Sequence, residues 1–558
     1  MTLLINCLTW FAAAAFTVVA LPAYASNDAP IDEQRPNVLF VIVDDLNDYL
    51  GTFGGHPQSK TPNIDRFAEQ ATQFSNAHTN VPVCSPSRSS LFTGVYPHDS
   101  RDFGWTRLKK QHVLKNNKTF LQQFRENGYQ MYGTGKLLHH NDLKYWHEWG
   151  VEERINYGPH AYDGNKIVGH PSVPEPFRSI NIVDGSFAPL TDVPTFDNNT
   201  KIKRQPGWGY PFKGFRYVSE DDRDLLPDEQ HALWAVNKLK QLEQQDSNSP
   251  FFMGVGFVRP HTPLYAPQRF FDMFPLESIE LPNIKTGDID DTFFKDNYPM
   301  TQMGLAYFKA LQDSYPDDDL GLKKVIQAYL ACIAFMDEQF GLVMDALNSS
   351  KFNDNTIVVF TSDHGWQFGE KDYLYKNSPW EESTKIPMLW RVPGKTIAGH
   401  KVQQPVSLID IYPTFIELAT LTGSNARNKN AGPMGGHSLV PLMQPSSTDQ
   451  WQGPQGALTI MGVGIDQPIE GLAVGTNPKA LWHVAVIKDL PQHYVWKNTY
   501  SYRTERWRYI RYKDGQEELY DHESDPFEWH NLAADKNHQQ QKQQLQQQMI
   551  ALIEKHQS

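Results

Sequence analysis

Four short stretches of the chain are apolar at nearly every position and end in polar residues: Val38 to Val43, Phe251 to Phe257, Ile357 to Phe360 and Pro387 to Trp390. Continuous runs of this length, rich in Val, Ile and Phe, predict strands buried on both faces, as in a parallel sheet covered by helices. Apolar residues recur at helical spacing over Ile64 to Ala71, His231 to Gln244, Leu320 to Leu347 and Leu408 to Leu421. Buried strands alternating with such helices predict an α/β sandwich with a large, mostly parallel central sheet. Ligands of such sheets bind beyond the carboxyl ends of the strands. Asp44 and Asp45 directly follow the first run, and Asp363 and His364 follow a later one, so both pairs are expected where a site should lie.

The pattern changes in three places. From about Gly158 to Pro227 the chain is rich in Pro, Gly, Asn and aromatic residues with little periodicity, which predicts a long insertion on the active-site face, either plain loop or a substrate wall. After about Pro441 it becomes β-rich, with polar and aromatic residues alternating over Tyr500 to Tyr512, followed by Glu518-Leu519-Tyr520-Asp521. A smaller C-terminal α+β subdomain with an antiparallel sheet is expected there, giving a division into 26–440 and 441–558. The glutamine-rich stretch His538 to Gln548 reads as a polar helix or as disordered chain. Residues 1–25 read as a secretory signal, because the apolar run Leu8 to Leu21 is too short to span a bilayer and Ala23-Tyr24-Ala25 offers a cleavage site. A periplasmic or secreted protein without membrane insertion is expected.

Charge and cysteine content narrow the chemistry. A formal charge of −13 argues against nucleic acid as a partner, and binding of a sulfated polymer then requires a local basic pocket. Cys7 would leave with the signal, so Cys84 and Cys332 are too few for a disulfide framework. Cys332 sits in the helical stripe Val325, Ala328, Tyr329, Cys332, Phe335, Met336, Phe340, Val343 and is expected in the core. Cys84 alone needs a chemical explanation. The pairs Asp44-Asp45 and Asp363-His364 offer hard oxygen ligands and one imidazole, a set that suits calcium better than a structural zinc.

Cys84-Ser85-Pro86-Ser87-Arg88 resembles the Cys-x-Pro-x-Arg signature of type I sulfatases, within the alkaline phosphatase superfamily, whose cysteine becomes formylglycine after translation. The resemblance runs through Pro36-Asn37-Val38, Asp44-Asp45, Thr61-Pro62-Asn63-Ile64-Asp65, the cysteine motif to Thr93-Gly94, Gly135-Lys136 with His139, Pro260-His261, Ser362-Asp363-His364-Gly365 and Lys376. It continues in Arg503-Thr504, Trp507-Arg508-Tyr509-Ile510, Leu519-Tyr520-Asp521, Asp525-Pro526 and Asn531-Leu532. His139 three after Lys136, and His364 where many relatives carry asparagine, resemble the iduronate-2-sulfatase-like branch, which includes bacterial enzymes acting on sulfated algal polysaccharides.

That resemblance implies a sulfuric ester hydrolase with one calcium ion per chain and a nucleophile made from Cys84 by a formylglycine-generating or anaerobic sulfatase-maturating enzyme. The metal ligands it implies are Asp44, Asp45, the converted Cys84, Asp363 and His364. It further implies that the aldehyde hydrate attacks sulfur with Asp363 as base, and that His139 deprotonates the second hydroxyl so that the aldehyde re-forms and sulfate leaves. His261 is the candidate general acid, since imidazole titrates near neutrality. Lys136 and Lys376 would hold sulfate oxygens, and Arg88 would hold the diol while compensating the acids. Ser85 to Phe92 reads as the first turns of a helix with Pro86 near its start, which further favours an anion there.

Specificity has thinner support. Arg101, Trp105, Arg107, Trp366, Tyr373, Trp380 and Arg391 are candidate walls of a sugar pocket, with Arg101, Trp105 and Trp366 placed first. The expected substrate is a sulfated oligo- or polysaccharide of the carrageenan or ulvan class. Two other readings stay open: a phosphonate or phosphate monoester hydrolase of the same superfamily, and a non-catalytic carbohydrate-binding relative.

Overall fold

Asn37–Val43 (β1) is buried at every position, and its alternate side chains feed two different cores. Leu39, Val41 and Val43 join one apolar cluster, while Val38, Phe40 and Ile42 join the other. A strand with helices on both sides needs apolar residues at odd and even positions alike, which is why its sequence reads as an unbroken run. The structure is a computed structural model that describes residues 35–103, 107–192, 206–246, 249–297, 303–461, 496 and 498–555. The signal expected over residues 1–25 lies outside the described residues.

β1 is central in an eight-stranded sheet. In chain order the other strands are β2 (Thr72–Phe74), β3 (Gln130–Gly135), β4 (Glu148–Trp149), β5 (Phe251–Phe257), β6 (Thr356–Ser362), β7 (Met388–Arg391) and β8 (Lys401–Val402). Their spatial order is β8-β2-β7-β6-β1-β5-β3-β4. β6, β1, β5, β3 and β4 are parallel, and β7 alone runs against the rest. The mostly parallel sheet expected from the apolar runs is therefore present, with one reversed strand inserted.

One face carries helices α4 (Pro227–Glu243) and α5 (Asp318–Asn348), and the other carries α2 (Cys84–Thr93), α3 (Phe120–Glu126) and α6 (Ile411–Leu418). The short α1 (Pro62–Ala68) packs on α5. The stripe around Cys332 is buried along α5, as its spacing implies. On the second face Phe92 stacks on Phe120 at 4.4 Å between ring centroids, which fixes α2 against α3 through aromatic contact worth about 1 kcal/mol beyond its burial. No helix among the described residues is long and apolar enough to cross a membrane.

The C-terminal region forms a four-stranded antiparallel sheet of β9 (Ala457–Met461), β10 (Thr499–Arg503), β11 (Trp507–Arg511) and β12 (Glu517–Asp521). The alternating stretch Tyr500 to Tyr512 is thus a hairpin, with its turn at Thr504 to Arg506. The glutamine-rich stretch belongs to helix α7 (Gln539–Glu554), which buries Leu545, Met549, Leu552 and Ile553. Those four supply the apolar stripe that the glutamines conceal in composition. The Gly158 to Pro227 segment is not plain loop: it holds short paired strands at His160–Asp163, Ile167–Val168 and Pro206–Gly209.

Candidate active site

Three parallel strands end at the same level and deliver the charged groups. β1 ends at Val43, so Asp44 and Asp45 emerge from it, and β6 ends at Ser362, so Asp363 and His364 emerge beside them. The two turns are tied together, with the Asp45 N–H donating to Asp363 Oδ1 at 3.2 Å. β3 ends at Gly135, whose φ is +78° and whose missing Cβ would lie 1.9 Å from the Gly256 carbonyl oxygen. Only glycine fits there, and the turn it permits aims Lys136 at Asp44. Asp45 has φ of +60°, costly for a non-glycine residue, and Tyr329 of α5 holds it by donating its hydroxyl to the Asp45 carbonyl at 2.7 Å.

Cys84 is the first residue of α2 and is fully buried. Its Sγ lies 3.2 Å from His364 Nε2, 3.1 Å from Lys376 Nζ and 3.7 Å from Asp45 Oδ1. Arg88, one turn further and equally buried, donates from Nε to Asp363 Oδ2 at 2.8 Å and from an NH2 group to Asp44 Oδ1 at 3.1 Å. Its remaining donors reach the carbonyls of Leu137, at 2.8 Å, and Lys136. Ser87 donates to the Asp363 carbonyl at 2.7 Å and so locks α2 to the end of β6.

Lys376 Nζ bridges both oxygens of Asp45 at 2.7 and 2.9 Å. His261 Nε2 stands 3.7 Å from Asp45 and 3.9 Å from Asp44, and its Nδ1 faces the Thr262 carbonyl, to which it donates. Asp44, Asp45, Cys84 and His261 bring ligand atoms within 4.8 Å of one another, and so do Asp44, Cys84, Asp363 and His364. Each group joins two carboxylates and an imidazole beside the Cys84 position, and the carboxylate oxygens fit a hard divalent cation.

Electrostatics follow from this crowding. Burial pushes Asp44 up, but Lys136, His261 and Arg88 together outweigh it and hold the carboxyl well below its ordinary value. Asp45 goes the other way: burial dominates, with Lys376 opposing it, and the carboxyl lies well above its ordinary value. Burial and then Asp44 raise the Cys84 thiol, so it stays protonated and is a poor nucleophile as it stands. Burial alone would depress Lys136 and Lys376, but Asp44 and Asp45 respectively override it and keep both cationic. Burial followed by the lysines pushes His139 and His261 well below neutrality, so both imidazoles are neutral before an anion enters.

The structure therefore brings Asp44, Asp45, Cys84, Arg88, Lys136, His261, Asp363, His364 and Lys376 together, with His139 close enough to feel Lys136 and Asp44. Among the suggested walls, Trp366 stands beside the site, its ring 5.6 Å from Lys376 Nζ. Tyr373 and Trp380 are not walls: both are buried, and Trp380 packs on Phe294 and donates its indole N–H to Glu518 at 2.9 Å. Arg391 is also displaced from the site, because β7 runs against β6 and pairs Arg391 with Val358 near the opposite strand end. Arg101 follows the short helix Pro97–Ser100, and Arg107 lines a surface cavity with Leu138, His140 and Asp142, next to His139 along the chain. Trp105 lies outside the described residues.

Sequence reasoning missed two aromatic neighbours. The Tyr157 ring packs against His261 at 5.0 Å and lies 5.0 Å from Lys136 Nζ, and the Tyr375 ring lies 5.5 Å from Lys376 Nζ. Tyr375 adjoins an assigned lysine, a signal that was at hand. Tyr157 precedes an aperiodic insertion and carried none.

With this geometry in view, the family model described as "Sulfatase" matches residues 36–421, and one described as "N-sulphoglucosamine sulphohydrolase, C-terminal" matches residues 482–555. A sulfatase of Formosa agariphila is 33% identical over 508 residues, covering 89% of this chain and 83% of that protein. The iduronate 2-sulfatase of Homo sapiens is 29% identical over 416 residues, covering 69% of each. An ulvan-active sulfatase of Formosa agariphila is 24% identical over 509 residues, covering 89% of this chain and 77% of that protein. In fold the chain is similar to the phosphonate monoester hydrolase of Agrobacterium radiobacter, with a TM-score of 0.66, 20% identity and coverage of 94% and 96%.

Proposed function

Because the chain belongs to the sulfatase family and is a sulfuric ester hydrolase, we propose that it removes sulfate from a sulfated carbohydrate, of the ulvan or carrageenan class, through a formylglycine derived from Cys84. The observation that carries this reading is the burial of Cys84 Sγ between Lys376, His364 and Asp45, with Arg88 behind it. A protonated thiol in that cage has little reactivity of its own, whereas an aldehyde hydrate would supply a hydroxyl nucleophile and a second hydroxyl through which the product can be expelled. A formylglycine-generating or anaerobic maturating enzyme is the partner this requires. An ulvan-active relative supports the carbohydrate class.

Asp44, Asp45, Asp363 and His364 would hold a calcium ion, which would neutralise the carboxylates and polarise the nucleophile. Lys136 and Lys376, both cationic, hold the sulfate oxygens and offset the charge that builds on them. Asp363 takes the proton of the attacking hydroxyl. His261 gains its proton once the sulfate anion offsets the lysines that keep the ring neutral, and passes it to the departing alcohol oxygen. His139, neutral at the start, accepts the proton whose loss frees sulfate. Trp366 and Tyr157 flank the entry with apolar faces on which a sugar ring can stack.

Sulfate release from ulvan and carrageenan oligosaccharides by the matured protein, set beside hydrolysis of an aryl phosphonate monoester, tests the reading. Sulfate release that dominates supports it. Hydrolysis of phosphonate alone would sink it.

Calcium should bind more tightly as pH rises. Asp45, whose folded value is raised, opposes folding once the pH exceeds the ordinary carboxylate value of about 3.9, because the folded carboxyl keeps a proton that the unfolded chain gives up; a bound cation favours the ionised form and removes that penalty. The rise in unfolding midpoint produced by calcium is expected to be larger at pH 7 than at pH 5. Equal rises would argue against a cation at this cluster.

A further inference from the structure

Lys376 does not sit on a regular element. It follows the two-residue strand Leu374–Tyr375, and the chain beyond it is irregular until the short helix Glu381–Thr384. Asn377 adopts φ of +68°, a conformation that local sequence disfavours. An ammonium group on such a turn lands at one point only if the turn is held from outside, and a displacement of about 1 Å is enough to weaken a charged contact severely.

Part of the hold is local: the Tyr373 hydroxyl faces the Lys376 and Asn377 carbonyls at 3.2 and 3.1 Å, and the Asn377 N–H donates to the Pro82 carbonyl at 2.9 Å. The rest comes from the C-terminal sheet and the segment that follows it. The Pro379 carbonyl, three residues past Lys376, accepts from Arg508 at 3.1 Å and from the Ser501 hydroxyl at 2.7 Å. The Glu381 N–H donates to Glu528 at 3.1 Å. Arg508 is the hub: it is fully buried, donates to Ser501 at 2.6 Å, and pairs with both Glu381 and Glu528. A guanidinium with no exposure carries a desolvation penalty of several kcal/mol, and an apolar residue would satisfy the packing of β11 at lower cost. What an apolar residue could not do is grip the Pro379 carbonyl and the Glu381 carboxylate in one planar fork.

We propose that Arg508 is a positioning residue for sulfate recognition: through Pro379 and Glu381 it fixes the turn that presents the Lys376 ammonium to the anion. This rests on Lys376 being a sulfate ligand. The C-terminal sheet then contributes to the site through a backbone carbonyl, with no side chain of its own touching substrate.

Binding of inorganic sulfate to the full-length protein, followed by calorimetry, separates this from a purely structural role. Lys376→Ala is expected to weaken sulfate binding about tenfold and Arg508→Lys about fivefold, as befits hydrogen bonds to charged groups. In the Lys376→Ala background, Arg508→Lys should have no further effect, because it acts through that lysine. Sulfate binding unchanged in Arg508→Lys, or weakened by the same factor with Lys376 absent, overturns the inference. Unchanged binding in Lys376→Ala instead removes the reading of Lys376, and the inference with it. Ser501→Ala, which removes one donor from the same carbonyl, keeps the test open if the arginine variant does not fold: it should weaken sulfate binding about twofold with Lys376 present and not at all without it, and any other result counts against the proposal.

Discussion

Cys84→Ser, in protein matured by an enzyme that oxidises cysteine only, is expected to release no sulfate while keeping its fold. The loss should be at least about a thousandfold, because removal of a nucleophile abolishes the step that the other groups serve. Stability should change little, within about 1 kcal/mol: the serine oxygen fills nearly the same space and can accept from Lys376, which lies 3.1 Å from the present sulfur. A serine has one hydroxyl, so even a slow attack would leave sulfate esterified to the protein with no second hydroxyl to expel it. Sulfate release, melting and intact mass of the variant are the measurements. Full activity would show that Cys84 is not the nucleophile.

Arg88→Ala is expected to cost the fold about 3–5 kcal/mol, a large fraction of the 5–15 kcal/mol that stabilises a typical protein. The magnitude follows from what is left behind. Asp44 and Asp363 are both fully buried and both pair with this guanidinium, and the carbonyls of Lys136 and Leu137 accept from it as well. In the wild type, Asp44 has a depressed folded value, so its ionisation stabilises the protein above the unfolded value of about 3.9, and that contribution disappears as pH falls through the folded value. Without Arg88 the same carboxylate keeps Lys136 but loses one of its compensating charges, so its folded value rises and part of that contribution is lost. The difference between variant and wild type, measured by urea unfolding, should therefore be largest near pH 7 and shrink toward pH 4. Arg88→Lys should recover little of it, since one ammonium cannot reach four acceptors arranged around a planar fork. A variant as stable as the wild type would show that the cluster is compensated by other means.

The central strands were legible because burial on both faces leaves an unbroken apolar run, and the 7 residues of Asn37–Val43 and of Phe251–Phe257 are a strand's length and too few for a buried helix. The short edge strands β2, β4 and β8 gave no such signal, since two or three residues cannot display a period. Tyr373 and Trp380 looked like sugar-stacking residues from composition, and burial decided otherwise, because aromatic residues serve a core as readily as a pocket. Tyr329 read as one more core position of α5, which it is, yet its hydroxyl also restrains Asp45.

By itself the sequence determined the sandwich, the strand ends from which Asp44, Asp45, Asp363 and His364 emerge, and the identity of the charged cluster. These depend on local period and on motif order, both written along the chain. The tertiary structure decided what those groups do to one another: Asp44 and Asp45 are neighbours in the chain and are driven in opposite directions by the cations each one meets. It also decided that the turn after Lys376 is tied, through the Pro379 carbonyl, to a sheet formed from the far end of the chain. Charge interaction and hydrogen bonding act over a few ångströms of space, and distance along the sequence does not reveal which groups will share that space.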